Sequence, residues 1–318
     1  KNLYIARATS AAWFASGKVP TSTATENLSA IRELRIVVGD TVHAITNMPV
    51  VQQLQAILQN TKGSGAQDEA YTVAKALEMK GAVRTPGQFN VQADMMAKAI
   101  IASGGKVGAQ DFLSTFKYGR SATLGWSDAF TYKILPTLIQ EMKGGGAGGK
   151  GGPGNALMSA YSAVVGGTVP QKALKVWQQL GLLDKSKVVW TKTGSAKGLM
   201  PGGIAGSDLF QSNPFAWAQT VLAPALTKAG IKSDQGVRQT LQYLFPNLTA
   251  GFVMPQLVTQ AWKFQRDQKL ISGASGLSGY KSLVANDPHM VKAALMAQWN
   301  NALTALGITI LPALIKGT

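Results

Sequence analysis

The glycine-rich stretch 144–154 contains the part of the sequence closest to a known chemical motif. Gly144 is followed after four residues by Gly149 and Lys150, which is most of the pattern that cradles phosphate groups in nucleotide-binding proteins. That pattern also needs Ser or Thr after the lysine, because the hydroxyl binds magnesium. Gly151 stands at that position, so the pattern is incomplete.

The residues around this stretch also differ from those of a phosphate-binding loop. Such a loop follows a buried strand and opens a helix that points its N–H groups at phosphate, whereas residues 131–142 have helical periodicity. The glycines and proline at 152–154 are expected to delay the next helix until about Asn155. We therefore interpret residues 143–154 as a flexible connection between two helices and expect no nucleotide.

Other catalytic and metal-binding patterns are equally weak. The chain has no cysteine, and its two histidines, His43 and His289, lie in no zinc-binding pattern. We expect both to be surface or helix-start residues. The glutamates lie in amphipathic runs, where solvent exposure explains them, and Glu141 is the one we would test as an acid. We predict no catalytic residue, no metal site and no cofactor, and hence no enzyme.

The charge balance points to an anionic partner. The chain has 31 basic and 15 acidic residues, for a net charge of +16, although only 14% of its residues are charged. Such an excess suits nucleic acid, an anionic membrane surface or an acidic protein surface. The basic residues are dispersed, and the candidate contacts, chosen from charge alone, are Lys143, Lys150, Lys187, Lys192 and Lys197.

Hydrophobic periodicity predicts a mainly α fold. Helix-start and helix-stop signals recur, as at Asp287-Pro288 and Asn213-Pro214, and they indicate a jointed body of about ten helices. Pro136, Pro224 and Pro255 fall inside helical patterns and should kink or split them. Strand signals are few, and we expect at most a short β-ribbon near 187–205.

Several helices have a recognisable apolar stripe that we expect to be buried. Trp299 belongs to one such stripe, which runs from Val291 to Leu306, and most of the seven tryptophans are expected in the core rather than on a base-stacking surface. The run 301–315 is the most apolar stretch near the end of the sequence. It is shorter than the roughly 18 residues of a membrane span, and we interpret it as a core helix, with the start of a more hydrophobic region as the alternative.

Long stretches of the sequence resemble tail tape measure proteins of long-tailed bacteriophages and prophages. The resemblance is strongest from about 100 to 307 and is weaker from about 25. It is carried by IRELRIVVGD (31–40), AKALEMKGAV (74–83), ASGGKVGAQDFLSTFKYGRSA (102–122), DAFTYKILPTLIQEM (128–142), ALMSAYSAVVGGTV (156–169), LGLLDKSKVVWTKTGSAKGLMPGGIAGSDLFQSNPFAWAQTVLAPAL (180–226) and ANDPHMVKAALMAQWNNALTALG (285–307). The glycine run is longer than the family pattern. We divide the chain into an N-terminal helical segment, 1–104, and a tape-measure core region, 105–318, with the 143–154 loop inside it.

The resemblance implies a structural role in the virion rather than a reaction. Proteins of this family lie in the lumen of the tail tube, set tail length during assembly and leave ahead of the DNA on infection. It implies self-association in the tail, with three or six copies as guesses from tail symmetry. It also implies contact with the tail tube protein and with tail tip or baseplate hub proteins. Non-specific contact with DNA and contact with the host envelope remain open. The competing hypotheses are a basic helical protein that binds nucleic acid non-specifically and an envelope-active enzyme or pore.

Overall fold

The computed structural model describes residues 2–63, 68–143 and 151–316, with side chains described from residue 4 to residue 309 within these ranges. The described chain is mainly α-helical with one two-stranded antiparallel ribbon, as the sequence predicts. It divides into two compact units, 1–110 with 274–318, and 111–273. This division differs from the predicted segments, 1–104 and 105–318, because the last helices belong with the first ones.

The first unit is built from helices at both ends of the chain. Its helices are α1 (Asn2–Lys18), α2 (Ala24–Val38), α3 (Thr41–Lys62), α4 (Glu69–Lys80), α5 (Pro86–Ala102), the first residues of α6 (Ala109–Gly119), α17 (Tyr280–Asn286) and α18 (Pro288–Lys316). Helix α3 packs against α1, α2, α4 and α5. The start of α2 is fixed by a capping box, in which the Thr23 hydroxyl accepts from the Glu26 N–H at 3.1 Å and the Glu26 carboxylate accepts from the Thr23 N–H at 2.7 Å.

Polar contacts tie the end of the chain to the first helices. The Asp94 carboxylate on α5 accepts a hydrogen bond from the Leu277 N–H at 2.8 Å. The hydroxyls of Thr21 and Tyr280 lie 2.8 Å apart. Neither contact could be read from the sequence, because the partners are far apart along it. These bonds, together with the packing of Tyr280 and Met290 against Val19, Ala56 and Ile57, attach residues 274–318 to the first unit.

The second unit holds the remaining helices and the ribbon. They are the rest of α6, α7 (Ser121–Gly125), α8 (Leu135–Met142), α9 (Gly152–Val164), α10 (Gln171–Gln179), β1 (Val188–Trp190), β2 (Ala196–Leu199), α11 (Ser207–Ser212), α12 (Pro214–Trp217), α13 (Ala223–Lys228), α14 (Asp234–Leu244), α15 (Leu248–Thr259) and α16 (Ala261–Gly273). An aromatic cluster forms part of its core. Trp177 lies 5.5 Å from Phe245 and 6.3 Å from Trp217 between ring centroids. The Trp217 indole donates to the Ala205 carbonyl at 2.8 Å.

Two of the three predicted proline breaks are π-helical turns. Residues 130–134 and 218–222 form π turns that end two residues before Pro136 and Pro224. A proline has no N–H and its ring crowds the preceding turn, so the wider turn accommodates it. These divisions are one reason why the chain has more separate helices than the ten or so expected.

The third proline leaves its helix intact. Pro255 lies inside α15 without ending it. Because Pro255 has no N–H to donate, the Gly251 carbonyl four residues earlier has no helical partner. The Gln242 side chain on α14 donates to that carbonyl at 3.3 Å. A side chain from another helix therefore supplies the missing donor.

Candidate functional site

The β-ribbon carries the best candidate contact surface in the second unit. Strands β1 and β2 pair antiparallel, with Val188 opposite Leu199 and Trp190 opposite Ala196. An irregularity in register lies between Val189 and Trp190, and such bulges re-aim neighbouring side chains. One face of the ribbon is anchored, because Val188 and Ala196 are buried in a cluster with Leu174 of α10.

The turn of the ribbon is fixed by local hydrogen bonds. The Thr191 N–H donates to the Ser195 carbonyl at 2.8 Å, and the Ser195 N–H donates to the Thr191 hydroxyl at 2.9 Å. Gly194 has φ +79°, a conformation that glycine adopts without steric cost. Lys192 lies in this turn and is exposed. The turn therefore presents its lysine on an ordered backbone.

A capped 3₁₀ turn, Lys185–Lys187, leads into β1. The Asp184 carboxylate accepts from the Ser186 N–H at 3.0 Å and from the Ser186 hydroxyl at 2.6 Å. The bond from the Ser186 hydroxyl is the main cause that lowers the pKa of Asp184, so this carboxyl stays ionised in mildly acidic solution. Lys185 is exposed beside it. The Lys185 carbonyl accepts from the Trp190 indole at 3.4 Å.

We define the basic ribbon surface as Lys185, Lys192 and Lys197 with the exposed apolar side chains Val189 and Trp190. Within the described part of the chain, none of these three lysines forms an ion pair. Exposed cations beside an exposed indole can contact phosphates or carboxylates through charge, and planar groups through stacking. The arrangement suits binding to an anionic surface.

The structure gives the other predicted contacts different surroundings. The Lys187 ammonium is half-buried and donates to the Gly202 carbonyl at 3.1 Å, so it holds the base of the ribbon. The Lys143 ammonium pairs with the Asp111 carboxylate at 2.7 Å. Lys150 lies outside the described residues. Lys185 was missed from the sequence, although its position two residues before Lys187 was the available signal.

The end of the glycine-rich stretch is structured by packing, which corrects the expected delay of the next helix. Helix α9 begins at Gly152 rather than near Asn155. A Cβ atom at Gly154 would lie 2.9 Å from the Gly119 nitrogen and closer still to the Thr115 carbonyl oxygen. A Cβ at Gly151, where φ is +103°, would overlap the Tyr118 side chain. These two glycines let chain segments approach closely, so they do more than add flexibility.

The tryptophans divide between core and surface. Trp126, Trp177 and Trp217 are buried, as expected, whereas Trp190, Trp262 and Trp299 are exposed. The expectation of a buried stripe from Val291 to Leu306 is wrong, because the large apolar side chains of that stripe face solvent. The expectation of a core helix over 301–315 is also wrong for the residues of that run whose side chains the structure describes. The physical reason is that Gln298 and Asn301, together with the buried Met290 and Ala297, take the inward positions of α18.

The histidines and Glu141, considered above as catalytic or metal-binding residues, lie at helix starts or in an ion pair. His43 and His289 lie in the first turns of α3 and α18, as predicted. The Glu141 carboxylate pairs with the Lys263 ammonium at 2.6 Å. In the residues described, no group of three or more His, Asp or Glu side chains is placed to hold a metal ion. None of the helices in the described ranges combines the length and apolar character that a membrane crossing requires.

Comparison with protein-family models, with curated proteins and with solved structures found no match to this chain.

Proposed function

We propose that this chain is a folded segment of a bacteriophage tail protein of the tape measure type. In this proposal it occupies the lumen or the tip of the tail tube, contributes to tail length during assembly and leaves ahead of the DNA on infection. The observation that carries the proposal is the resemblance of several long stretches, in order, between about 100 and 307. Its location would be the virion tail, and the host cytoplasm during assembly.

The charge of the chain supports this role. A tube through which DNA slides should have a neutral or acidic lumen, because a basic wall would hold phosphates. A chain with net charge +16 can bind such a wall through many weak contacts that salt screens. The basic ribbon surface offers three exposed lysines for contacts of this kind. The proposed partners are the tail tube protein, tail tip or baseplate hub proteins, and further copies of the chain.

The capped and jointed helices support a folded segment rather than an extended rod. Helices of ordinary length are joined by turns with left-handed glycines, such as Gly39 and Gly181, and each unit has its own buried core. This structure fits an assembly platform or a compact filler. The proposed role involves no reaction, cofactor or metal.

An in-frame deletion of 111–273 tests the proposal in the complete gene, because it removes one compact unit. Tails are then imaged by negative-stain electron microscopy. Tails shortened in proportion to the lost residues would indicate part of the ruler, and failure to initiate would indicate a tip platform. Normal tails of unchanged length would contradict the role.

Non-specific nucleic-acid binding is the second candidate function, and the exposed Trp190 beside three exposed lysines favours it. Three phosphate contacts would give a salt slope near −2.7, or about a 40-fold loss of affinity between 50 and 200 mM salt. Fluorescence anisotropy with a short DNA duplex measures this slope. Lys192→Glu with Lys197→Glu should abolish the binding, whereas Lys232→Glu, at another exposed lysine of the same unit, should weaken it only slightly.

A further inference from the structure

Helix α18 turns polar side chains toward its own unit. The Gln298 side-chain amide donates to the Ser16 carbonyl at 3.1 Å and to the Pro20 carbonyl at 2.9 Å. The Asn301 side-chain oxygen accepts from the Ala24 N–H at 2.8 Å and so helps to satisfy the start of α2. Surface helices usually place their apolar face inward and their polar face in water. Here Gln298 and Asn301 share the inward face with the buried Met290 and Ala297, while the larger apolar side chains point away from the unit.

The opposite side of α18 is apolar and exposed. We define the apolar stripe as six large side chains with exposed fractions between 45% and 69%: Val291, Leu295, Met296, Trp299, Leu303 and Leu306. Residues 302–306 are exposed on every side of the helix. In water this surface is costly, since apolar area is stabilised by removal from solvent. Contiguous exposed patches of this kind mark interaction sites.

The spacing of the stripe suits packing against another helix. Val291, Leu295, Trp299 and Leu303 form one row in which successive members are four positions apart. Rows of this kind pack into the grooves of a facing helix at a crossing angle near −50°. With side-chain areas of roughly 150–250 Å², the exposed fractions of the five side chains from Val291 to Leu303 amount to about 550 Å² per copy. Two such rows would bury about 1,100 Å², which is above the roughly 1,000 Å² that a specific interface is expected to clear.

We propose that the apolar stripe of α18 is the surface through which two copies of this chain associate. From Ala293 to Ile315 the sequence contains no charged residue. Two molecules with a net charge of +16 repel each other over most of their surfaces, whereas the stripe from Leu295 to Leu306 contains no charged side chain, with the exposed Lys292 at its start. A partner held by charge would instead use basic residues, and the stripe has none. This inference deepens the self-association within the proposed function.

A symmetric pair also accounts for the row geometry. In a two-fold interface the same patch is used by both molecules, so it must be self-complementary. Two copies of the row that cross near Leu295 and Trp299 present the same side chains to each other, so the patch is self-complementary. The Trp299 indole supplies the largest apolar area at the crossing. Buried aromatic anchors of this type usually dominate the energy of an interface.

Sedimentation velocity on the full chain tests the proposal at about 150 mM salt, where long-range repulsion is screened. We expect dimers at concentrations of tens of micromolar. Trp299→Glu should raise the dissociation constant about 30-fold or more. Leu248→Glu is the matched control, because Leu248 is a more exposed leucine in the second unit. It should leave the dissociation constant unchanged.

Cysteine cross-linking gives a second readout that does not depend on a disruptive variant. The chain has no cysteine, so one introduced thiol can pair only with its copy. Leu295→Cys should form a disulfide-linked dimer on mild oxidation. Leu306→Cys lies about 16 Å further along the helix and should link poorly, since crossing helices diverge and a disulfide needs Cα atoms within about 7 Å.

The outcomes separate the possible occupants of the stripe. A wild-type chain that is monomeric at these concentrations, or a dimer unaffected by Trp299→Glu, would overturn the proposal. A monomer that binds phosphatidylglycerol vesicles through the stripe would identify a lipid surface as the occupant and would also overturn it. Failure of the dimer would leave the tail role standing, because tail composition and tail length test that role separately.

Discussion

The close approach of α6 and α9 at Gly154 provides the sharpest stability prediction. Gly154→Ala would place a Cβ 2.9 Å from the Gly119 nitrogen and nearer still to the Thr115 carbonyl oxygen. Both obstacles are backbone atoms, so no side chain can move aside. The two helices would have to separate by about 1 Å, and overpacking of this kind costs about 1–3 kcal/mol. We expect the upper end, about 3 kcal/mol, because the backbone must shift.

Gly17→Ala is the matched control. Gly17 lies in the last turn of α1, and its Cβ would meet nothing within 4 Å. The change from glycine to alanine in a helix should stabilise by up to about 1 kcal/mol. The two variants carry the same chemical change, and each is compared with the wild-type unfolding of its own unit.

Urea unfolding followed by circular dichroism measures both variants against the wild type. Gly154→Ala should lower the unfolding free energy of the second unit by about 3 kcal/mol, or lower Tm by roughly 6–12 °C for a unit of this size. Gly17→Ala should not lower either quantity. If Gly154→Ala were as stable as the wild type, the close approach of α6 and α9 would be refuted.

Substitutions at three positions probe the first unit. Gly276→Ala should destabilise by about 1–3 kcal/mol in thermal unfolding, because Gly276 has φ +55° and its Cβ would overlap the Asp94 carboxylate; an unchanged Tm would contradict this contact. The buried Glu69 carboxylate accepts a hydrogen bond from the Ala109 N–H at 2.6 Å. Glu69→Ala should therefore lower the free energy of unfolding in urea by about 3 kcal/mol, and Glu69→Gln by less, because glutamine keeps an acceptor at this position. Equal losses for the two variants would argue against this hydrogen bond. The hydrogen bond from the Met290 N–H is the main cause that lowers the pKa of Asp287 in the folded chain. The ionised Asp287 carboxylate therefore stabilises the fold above its unfolded pKa of about 4, and this stabilisation is lost as the pH falls through the folded pKa. Asp287→Asn should reduce the loss of stability between about pH 4 and 2, and an unaltered pH profile would exclude this carboxyl as a contributor.

The helical character of the chain could be predicted because its signals are local. Pro288 opens α18 with Asp287 as its cap, and this start was visible in two adjacent residues. The breaks near Pro136 and Pro224 were indicated by the missing N–H of proline, although their π form, and the intact helix at Pro255, were not. The ribbon was indicated by a short β-branched run that includes Val188. Each of these features depends on residues close together in the chain.

The inverted orientation of α18 could not be predicted in this way. Periodicity identifies an apolar face but does not say whether that face points inward. The orientation is set by contacts of Gln298, Asn301 and the buried Met290 with residues more than 230 positions away along the chain. Similarly, Lys143 was a plausible free cation from sequence, and its ion pair with Asp111 depends on the packing of distant segments. The structure was therefore needed to distinguish the exposed lysines among the candidate contacts from those held in internal ion pairs or hydrogen bonds.

The proposed place of this chain in a phage tail can be tested by quantitative mass spectrometry. Tails are purified from the phage or prophage whose genome encodes the chain, both before and after DNA ejection is triggered. The account predicts that peptides from 111–273 are present in a fixed number of copies per intact tail and are strongly depleted from tails that have ejected their DNA. Intact tails that lack these peptides, while the protein is present in the cells that produced them, would contradict the proposal.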